Sequence, residues 1–195
     1  MKIIGFIASP RKDGNTAWAV NQILDGAKAH GAETEVFYSG VLDIKPCRGC
    51  LGCTENDKCV INDDMQKIYT TLKQADALVL GSPIYMGQMT AQAKVFTDRL
   101  FAYITPRFSP RFKEENAGKK LTLVFTQGNP NHDMFKEYID YTEKMFKMLE
   151  FDVNGVQIVA GTRSEQACEK KDLHVVLNDI GSSLAASCES EGKHE

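Results

Sequence analysis

Five short apolar runs, each handed on to a segment of helical spacing, constrain this 195-residue chain more than any other feature. The runs lie at 3–8, 33–38, 77–81, 121–126 and 153–160. The run at 77–81 is continuous rather than alternating, the pattern of a strand covered on both faces by helices. Between and after them, apolar residues recur three and four apart. Val20, Ile23, Leu24 and Ala27 mark a helix over 15–30. Met65, Ile68, Leu72 and Ala75 mark another, capped by Asp63 or Asp64, and a third covers 90–102. Phe135, Ile139, Thr142, Phe146 and Leu149 give a fourth face, and Leu173, Val176, Leu177, Ile180 and Leu184 a last one. Strand–helix alternation of this kind predicts an α/β three-layer sandwich around a five-stranded parallel sheet. Right-handed crossovers favour the order 2-1-3-4-5, and ligands then bind beyond the carboxyl ends of strands 1 and 3.

Three unusual loops fall at that edge. Ser9-Pro10-Arg11-Lys12-Asp13-Gly14-Asn15-Thr16 joins a buried strand to a helix start, where unpaired N–H groups attract phosphate. Ser9, Asn15 and Thr16 add short polar side chains, and Arg11 adds a cation. The loop lacks the Gly-x-Gly-x-x-Gly dinucleotide pattern and the Gly-Lys-Ser/Thr of triphosphate loops, so it suits a single terminal phosphate. An ordinary turn with a capping Asn or Thr is the competing reading. Ser82-Pro83-Ile84-Tyr85-Met86-Gly87 brings a rigid turn, an aromatic ring and a thioether able to face a planar ring. Gln127-Gly128-Asn129 offers amide groups to its other edge. Each of the last two, taken singly, also reads as a plain turn.

Four of the six cysteines crowd into one segment, 43–62, as Cys47-x2-Cys50-x2-Cys53-x5-Cys59. Gly49 and Gly52 let a short loop wrap so that several thiolates converge. Four thiolates can ligate a [4Fe–4S] cluster or a tetrahedral zinc ion. Free thiols and a redox-active disulfide remain open as alternatives. The last gap is longer than in the bacterial ferredoxin run, and Val60 replaces the proline that follows there. Cys168 and Cys188 stand apart and read as inert.

A net charge of −3 and the lack of a basic stripe speak against nucleic acid. No apolar run approaches a membrane span, and the apolar start breaks off at Ser9-Pro10-Arg11, unlike a secretory signal. The chain is expected in the cytoplasm. Its boundaries read as one domain over 1–188 with a polar, disordered tail over 189–195. The basic connection 106–116 has no assigned role.

The pairing of Ser-Pro-Arg-Lys-x-Gly-Asn-Thr after strand one with Gly-Ser-Pro-Ile-Tyr-Met-Gly after strand three resembles the NADPH-dependent FMN reductase branch of flavodoxin-like proteins. The cysteine segment followed by Asp63-Asp64-Met65 is similar to the iron–sulfur flavoprotein subgroup. The likeness is strong over 1–99 and rests on element order beyond. It implies FMN, with its phosphate on Ser9, Arg11, Asn15, Thr16 and the backbone of Ala17. It implies the ring against Pro83, Ile84, Tyr85, Met86 and Gly87, with Gln127 and Gly128 at the far edge. It implies a [4Fe–4S] cluster on Cys47, Cys50, Cys53 and Cys59, relaying electrons to FMN, and NAD(P)H as a transient donor. A homodimer or homotetramer follows from the same resemblance, with Lys94, Asp98 and Arg99 on the contact helix; without it, Asp98 and Arg99 form a local ion pair.

Because a flavin ring carries its own chemistry, no side chain is named as catalytic, and His30, His132 and His174 read as surface residues. Three functions compete. One is an oxidoreductase moving electrons from NAD(P)H to a flavin, quinone, metal or nitro compound. The second is a carrier relaying electrons between protein partners, ferredoxin among them. The third is a binding module with structural zinc.

Overall fold

The computed structural model describes residues 1–56, 58–103 and 118–191. The basic connection expected over 106–116 lies outside the described residues. Strands β1 (Lys2–Ile7), β2 (Glu33–Tyr38), β3 (Ala77–Tyr85), β5 (Lys120–Thr126) and β6 (Asp152–Val159) form the sheet in the order 2-1-3-5-6. All four pairings between them are parallel. Counting only these five strands, this is the expected 2-1-3-4-5 order. The additional strand β4 (Gln88–Met89) returns antiparallel on the end of β3.

The two core layers follow from strand periodicity. One set of side chains on β1, β3 and β5 (Ile4, Phe6, Leu78, Leu80, Leu121, Leu123) faces α3 (Met65–Gln74), α4 (Ala91–Arg99) and α5 (Lys136–Met148). Phe6 stacks on Phe96 there, ring centroids 4.1 Å apart. The alternate set, Ile3, Ile7, Val79 and Val124, faces α1 (Asn15–Ala29) and α6 (Leu173–Glu191). The apolar stripe of α1 is buried as its spacing requires, with Val20 and Ile23 at 0% exposure. Helices α1 and α6 touch backbone to backbone. A Cβ on Gly181 would lie 1.8 Å from the Ile23 carbonyl oxygen, and one on Gly26 2.1 Å from that of Asn178.

Several expectations are corrected. Strand β3 runs on to Tyr85, because Tyr85 and Gln88 pair across a two-residue turn. Met86 and Gly87 take positive φ, 50° and 82°, as a tight hairpin of this hand requires. The cysteine segment holds one short helix, α2 (Gly52–Asn56). Asp64 sits at the start of α3 but its side chain makes no capping bond there. It accepts the Asp43 N–H at 2.7 Å instead, across the root of the cysteine segment. The expected tail over 189–195 begins inside α6, which continues to Glu191 because helical periodicity outlasts the apolar pattern; 192–195 lie outside the described residues.

Candidate functional site

Three loops leave the carboxyl ends of β1, β3 and β5, and short bonds join them. The Ala8 N–H donates to the Gly81 carbonyl at 2.8 Å, holding the end of β1 on β3. Thr90 bridges further: its hydroxyl donates to the Ala8 carbonyl at 2.7 Å and accepts the Ala93 N–H at 3.1 Å, while its own N–H donates to Ser82 Oγ. Thr16, in the first turn of α1, meets Thr126 at the end of β5 through hydroxyls 2.7 Å apart; both are buried. The hairpin reaches the start of α5 as well. A Cβ on Gly87 would stand 3.9 Å from Phe135, and the Met89 N–H donates to Tyr138 Oη at 3.1 Å.

The start of α1 is left open. Gly14 is its N-cap and supplies no side-chain bond, and no acidic residue sits in the first turn. The N–H groups of Asn15, Thr16 and Ala17 precede the first intrahelical donor, the Trp18 N–H that bonds the Gly14 carbonyl, and carry the positive end of the helix dipole. The capping reading of Asn15 and Thr16 is therefore set aside. Asn15 Oδ1 accepts the Ala167 N–H at 2.7 Å, 152 residues away, and Thr16 is committed to Thr126. Ser9 Oγ accepts the Arg11 N–H at 3.1 Å and folds the loop back on itself. Arg11 is exposed beside Gly14.

On the ring side, Pro83 is buried and Ile84 is 9% exposed, so both form the floor. Tyr85 and Met86 stand out, Met86 fully exposed. In the third loop, Gln127 is buried and its Nε2 donates to the Asn129 and Asn131 carbonyls at 3.1 and 2.6 Å. Its Oε1 is buried with no hydrogen-bond partner. Gly128 is roofed by Arg163, which a Cβ would approach to 3.4 Å.

The cysteine segment forms a second constellation. Cys47, Cys50, Cys53 and Cys59 line one cavity of about 30 Å³, together with Arg99 and Phe101. All six cysteines are free. Cys47 and Cys50 are exposed, Cys53 and Cys59 half-buried. Burial pushes the Cys53 thiol up, and the neighbouring thiols of Cys59, Cys47 and Cys50 push the same way. Among the described residues, no group of three or more His, Cys, Asp or Glu side chains is gathered tightly enough to hold a metal ion in this arrangement. A wider groove of about 850 Å³ runs from the hairpin (Gln88, Met89) past Lys94 and Tyr138 to Cys47.

Sequence and structure comparisons bear on this geometry. The profile of the NADPH-dependent FMN reductase family matches residues 1–163. The chain belongs to that family. Over 99 residues it is 42% identical to an iron–sulfur flavoprotein of Methanocaldococcus jannaschii, covering 51% of each chain. It is 39% identical over 99 residues to an iron–sulfur flavoprotein of Methanosarcina thermophila, covering 51% of this chain and 52% of that one. These matches span about half the length of the relatives. An NAD(P)H:quinone oxidoreductase from Methanothermobacter marburgensis superimposes with a TM-score of 0.71 at 14% identity, covering 94% of this chain and 96% of that one; this shows a shared fold. The uncapped helix start and the half-exposed Tyr85 are compatible with the FMN that the family's name carries.

Within this FMN reductase fold, one expectation about charge is overturned. Arg99 does not pair with Asp98, nor does it lie on a contact surface. Its side chain is 0% exposed and bidentate to Asp63, at 2.6 and 3.1 Å. Asp98 pairs instead with Lys94 one turn away. Position explains the swap, since Arg99 ends α4 on its buried face and Asp98 on its outer face. Thr90, Thr126 and Asp63 were missed from sequence. A Thr closing a strand opposite a polar loop is the one signal that hints at Thr126; Asp63 reads as a cap. No helix among the described residues is long and apolar enough to cross a membrane.

Proposed function

We propose that residues 1–188 form one FMN-binding oxidoreductase unit that takes electrons from NAD(P)H and passes them to a small acceptor such as a flavin, quinone, metal or nitro compound. The observation that carries this reading is the uncapped start of α1 meeting the end of β5 through the Thr16–Thr126 contact. The N–H groups of Asn15, Thr16 and Ala17, with the Ser9 loop and Arg11, would hold the phosphate. Pro83 and Ile84 would support the ring, Tyr85, Met86 and Gly87 would flank it, and Gln127 and Gly128 would border its far edge. FMN would supply the electron-accepting ring, and these residues would bind and orient it, with exposed Met86 beside it. No side chain is needed to move a proton at the ring, so none is assigned as catalytic.

A second reading, a carrier relaying electrons between protein partners such as ferredoxin, is supported by the four cysteines that line one cavity. Their thiols would hold a [4Fe–4S] cluster. In both readings the chain acts as a cytoplasmic homodimer or homotetramer. The apolar groove beside Lys94 and Asp98 supports a subunit contact there.

Anaerobic purification with a visible spectrum and iron, sulfide and zinc analysis tests both. Bound yellow FMN bleached rapidly by NADH or NADPH, with steady turnover, is the expected result for the first. Slow reduction by nicotinamide with rapid reduction by ferredoxin supports the second. A colourless, zinc-bearing protein refutes both.

A further inference from the structure

The sheet ends on β6, which pairs only with β5. Between this edge strand and α6 lies a cavity of about 380 Å³, large enough for a small organic molecule. None of its lining residues belongs to the flavin loops or to the cysteine segment. The strand register explains why it exists. Leu121 pairs with Val153, but Thr122 pairs with Gly155, so Asn154 is an extra, bulged residue. The bulge sets a glycine opposite Thr122, and a Cβ on Gly155 would meet nothing within 4 Å. Open space stands where a side chain of β6 would otherwise cover β5.

The floor of this cavity is polar and unfinished. Thr122 lines it at 1% exposure, and its Oγ1 is buried with no hydrogen-bond partner. A buried hydroxyl left unpaired is costly, and Val would fill the same volume without that cost. One wall is apolar: Val176 and Ile180 lie one turn apart on α6, and Val176 is 47% exposed. Asn154, Gln157 and Ser183 add neutral polar groups. Asp179, exposed on α6, is the one ionisable side chain in the lining, and no Lys, Arg or His joins it. An anion would meet a carboxylate without a counter-charge. A cation carrying an apolar stem meets both a counter-charge and an aliphatic surface. The charged end belongs at the exposed Asp179, because an ammonium taken down to Thr122 would be desolvated without a partner charge. The group that reaches Thr122 is therefore neutral and hydrogen-bonding.

We propose that the cavity between β6 and α6 is a binding site for a small amphipathic amine: Asp179 takes its ammonium, Val176 and Ile180 flank its carbon stem, and the Thr122 hydroxyl bonds a neutral polar group, such as a hydroxyl, at its far end.

The test titrates the full chain, as purified, with four probes of equal stem length: terminal aminobutanol, butylamine, butanediol and hydroxybutyrate. Binding is followed by the backbone amide signals of Gly155, Val156 and Ser183. Aminobutanol should bind tightest. Butylamine, which lacks the hydroxyl, should bind about fivefold more weakly. Butanediol, which lacks the charge, should lose about threefold. Hydroxybutyrate should not bind. Each variant should erase one preference and leave the other. Thr122→Val should make aminobutanol and butylamine equal, and Asp179→Asn should make aminobutanol and butanediol equal. Without a ligand, Thr122→Val should melt no lower than wild type, since it removes an unpaired buried hydroxyl. Asp179→Asn, at an exposed position, decides the charge assignment even if Thr122→Val does not fold. Amide signals of the cavity that no probe moves at millimolar concentration overturn the site. Hydroxybutyrate binding as tightly as aminobutanol overturns the ligand class. A Thr122→Val protein that still prefers aminobutanol to butylamine overturns the role of the floor.

Discussion

Replacing Thr16 by Val separates the hydroxyl's bond to Thr126 from its proposed part in the phosphate site. Val keeps the shape, so the packing of α1 against β3 survives, but the bond to Thr126 is lost and the Thr126 hydroxyl, at 3% exposure, has no water to turn to. Leaving a buried hydroxyl unpaired costs about 1–3 kcal/mol. For a chain of this size each kcal/mol moves Tm by about 2–4 °C, so melting of the FMN-free protein should fall by about 2–12 °C. Thr126→Val should cost a similar amount. The double variant removes both polar groups and should lie close to wild type, since deleting both partners of a buried hydrogen bond is nearly neutral. FMN binding, followed by quenching of flavin fluorescence, should behave otherwise. If Thr16 also donates to the phosphate, its loss removes a charge-assisted bond of about 1.5–3 kcal/mol, a weakening of about 10- to 150-fold. The double variant should then be restored in stability and still impaired in FMN affinity. Single variants that melt with wild type would refute the buried-bond argument. A double variant that recovers both stability and affinity would remove Thr16 from the phosphate site.

Three further expectations can be checked with the same melts and titrations. Gly181→Ala must part α1 from α6, because its Cβ would meet the Ile23 carbonyl at 1.8 Å; overpacking against backbone should cost about 3 kcal/mol, whereas Gly155→Ala, with nothing within 4 Å, should stay within about 0.5 kcal/mol of wild type. Asp63 is held below the ordinary carboxylate range: burial alone would raise it, but the bonds from Arg99 and the Lys45 N–H outweigh that. A depressed folded value means the pair stabilises fully above the unfolded carboxylate range and is lost as pH falls through the folded one, so the melting gap between wild type and Asp63→Asn should be flat above about pH 5 and close below about pH 4. Met86→Gly relieves a positive φ and removes a fully exposed side chain. It should change stability by less than about 1 kcal/mol while weakening FMN binding, and equal affinity would take Met86 out of the ring site.

The alternation of apolar runs and helical stripes was enough to give the strand order, because every strand of a doubly wound sheet must hide both faces and every helix one. The same logic placed the loops 9–16, 82–87 and 127–132 at one edge without any knowledge of side-chain contacts. What sequence could not give were partners joined across long separations: Thr16 with Thr126, Asn15 with the Ala167 N–H, Arg99 with Asp63. None carries a periodic trace, since a single polar residue on a helix reads the same whether it faces water or a buried mate. Arg99 shows the limit plainly. Its neighbour Asp98 is the nearer charge in sequence, but only the turn of α4 against the cysteine segment decides that one residue points to solvent and the next into the interior, where a lone guanidinium must find a carboxylate.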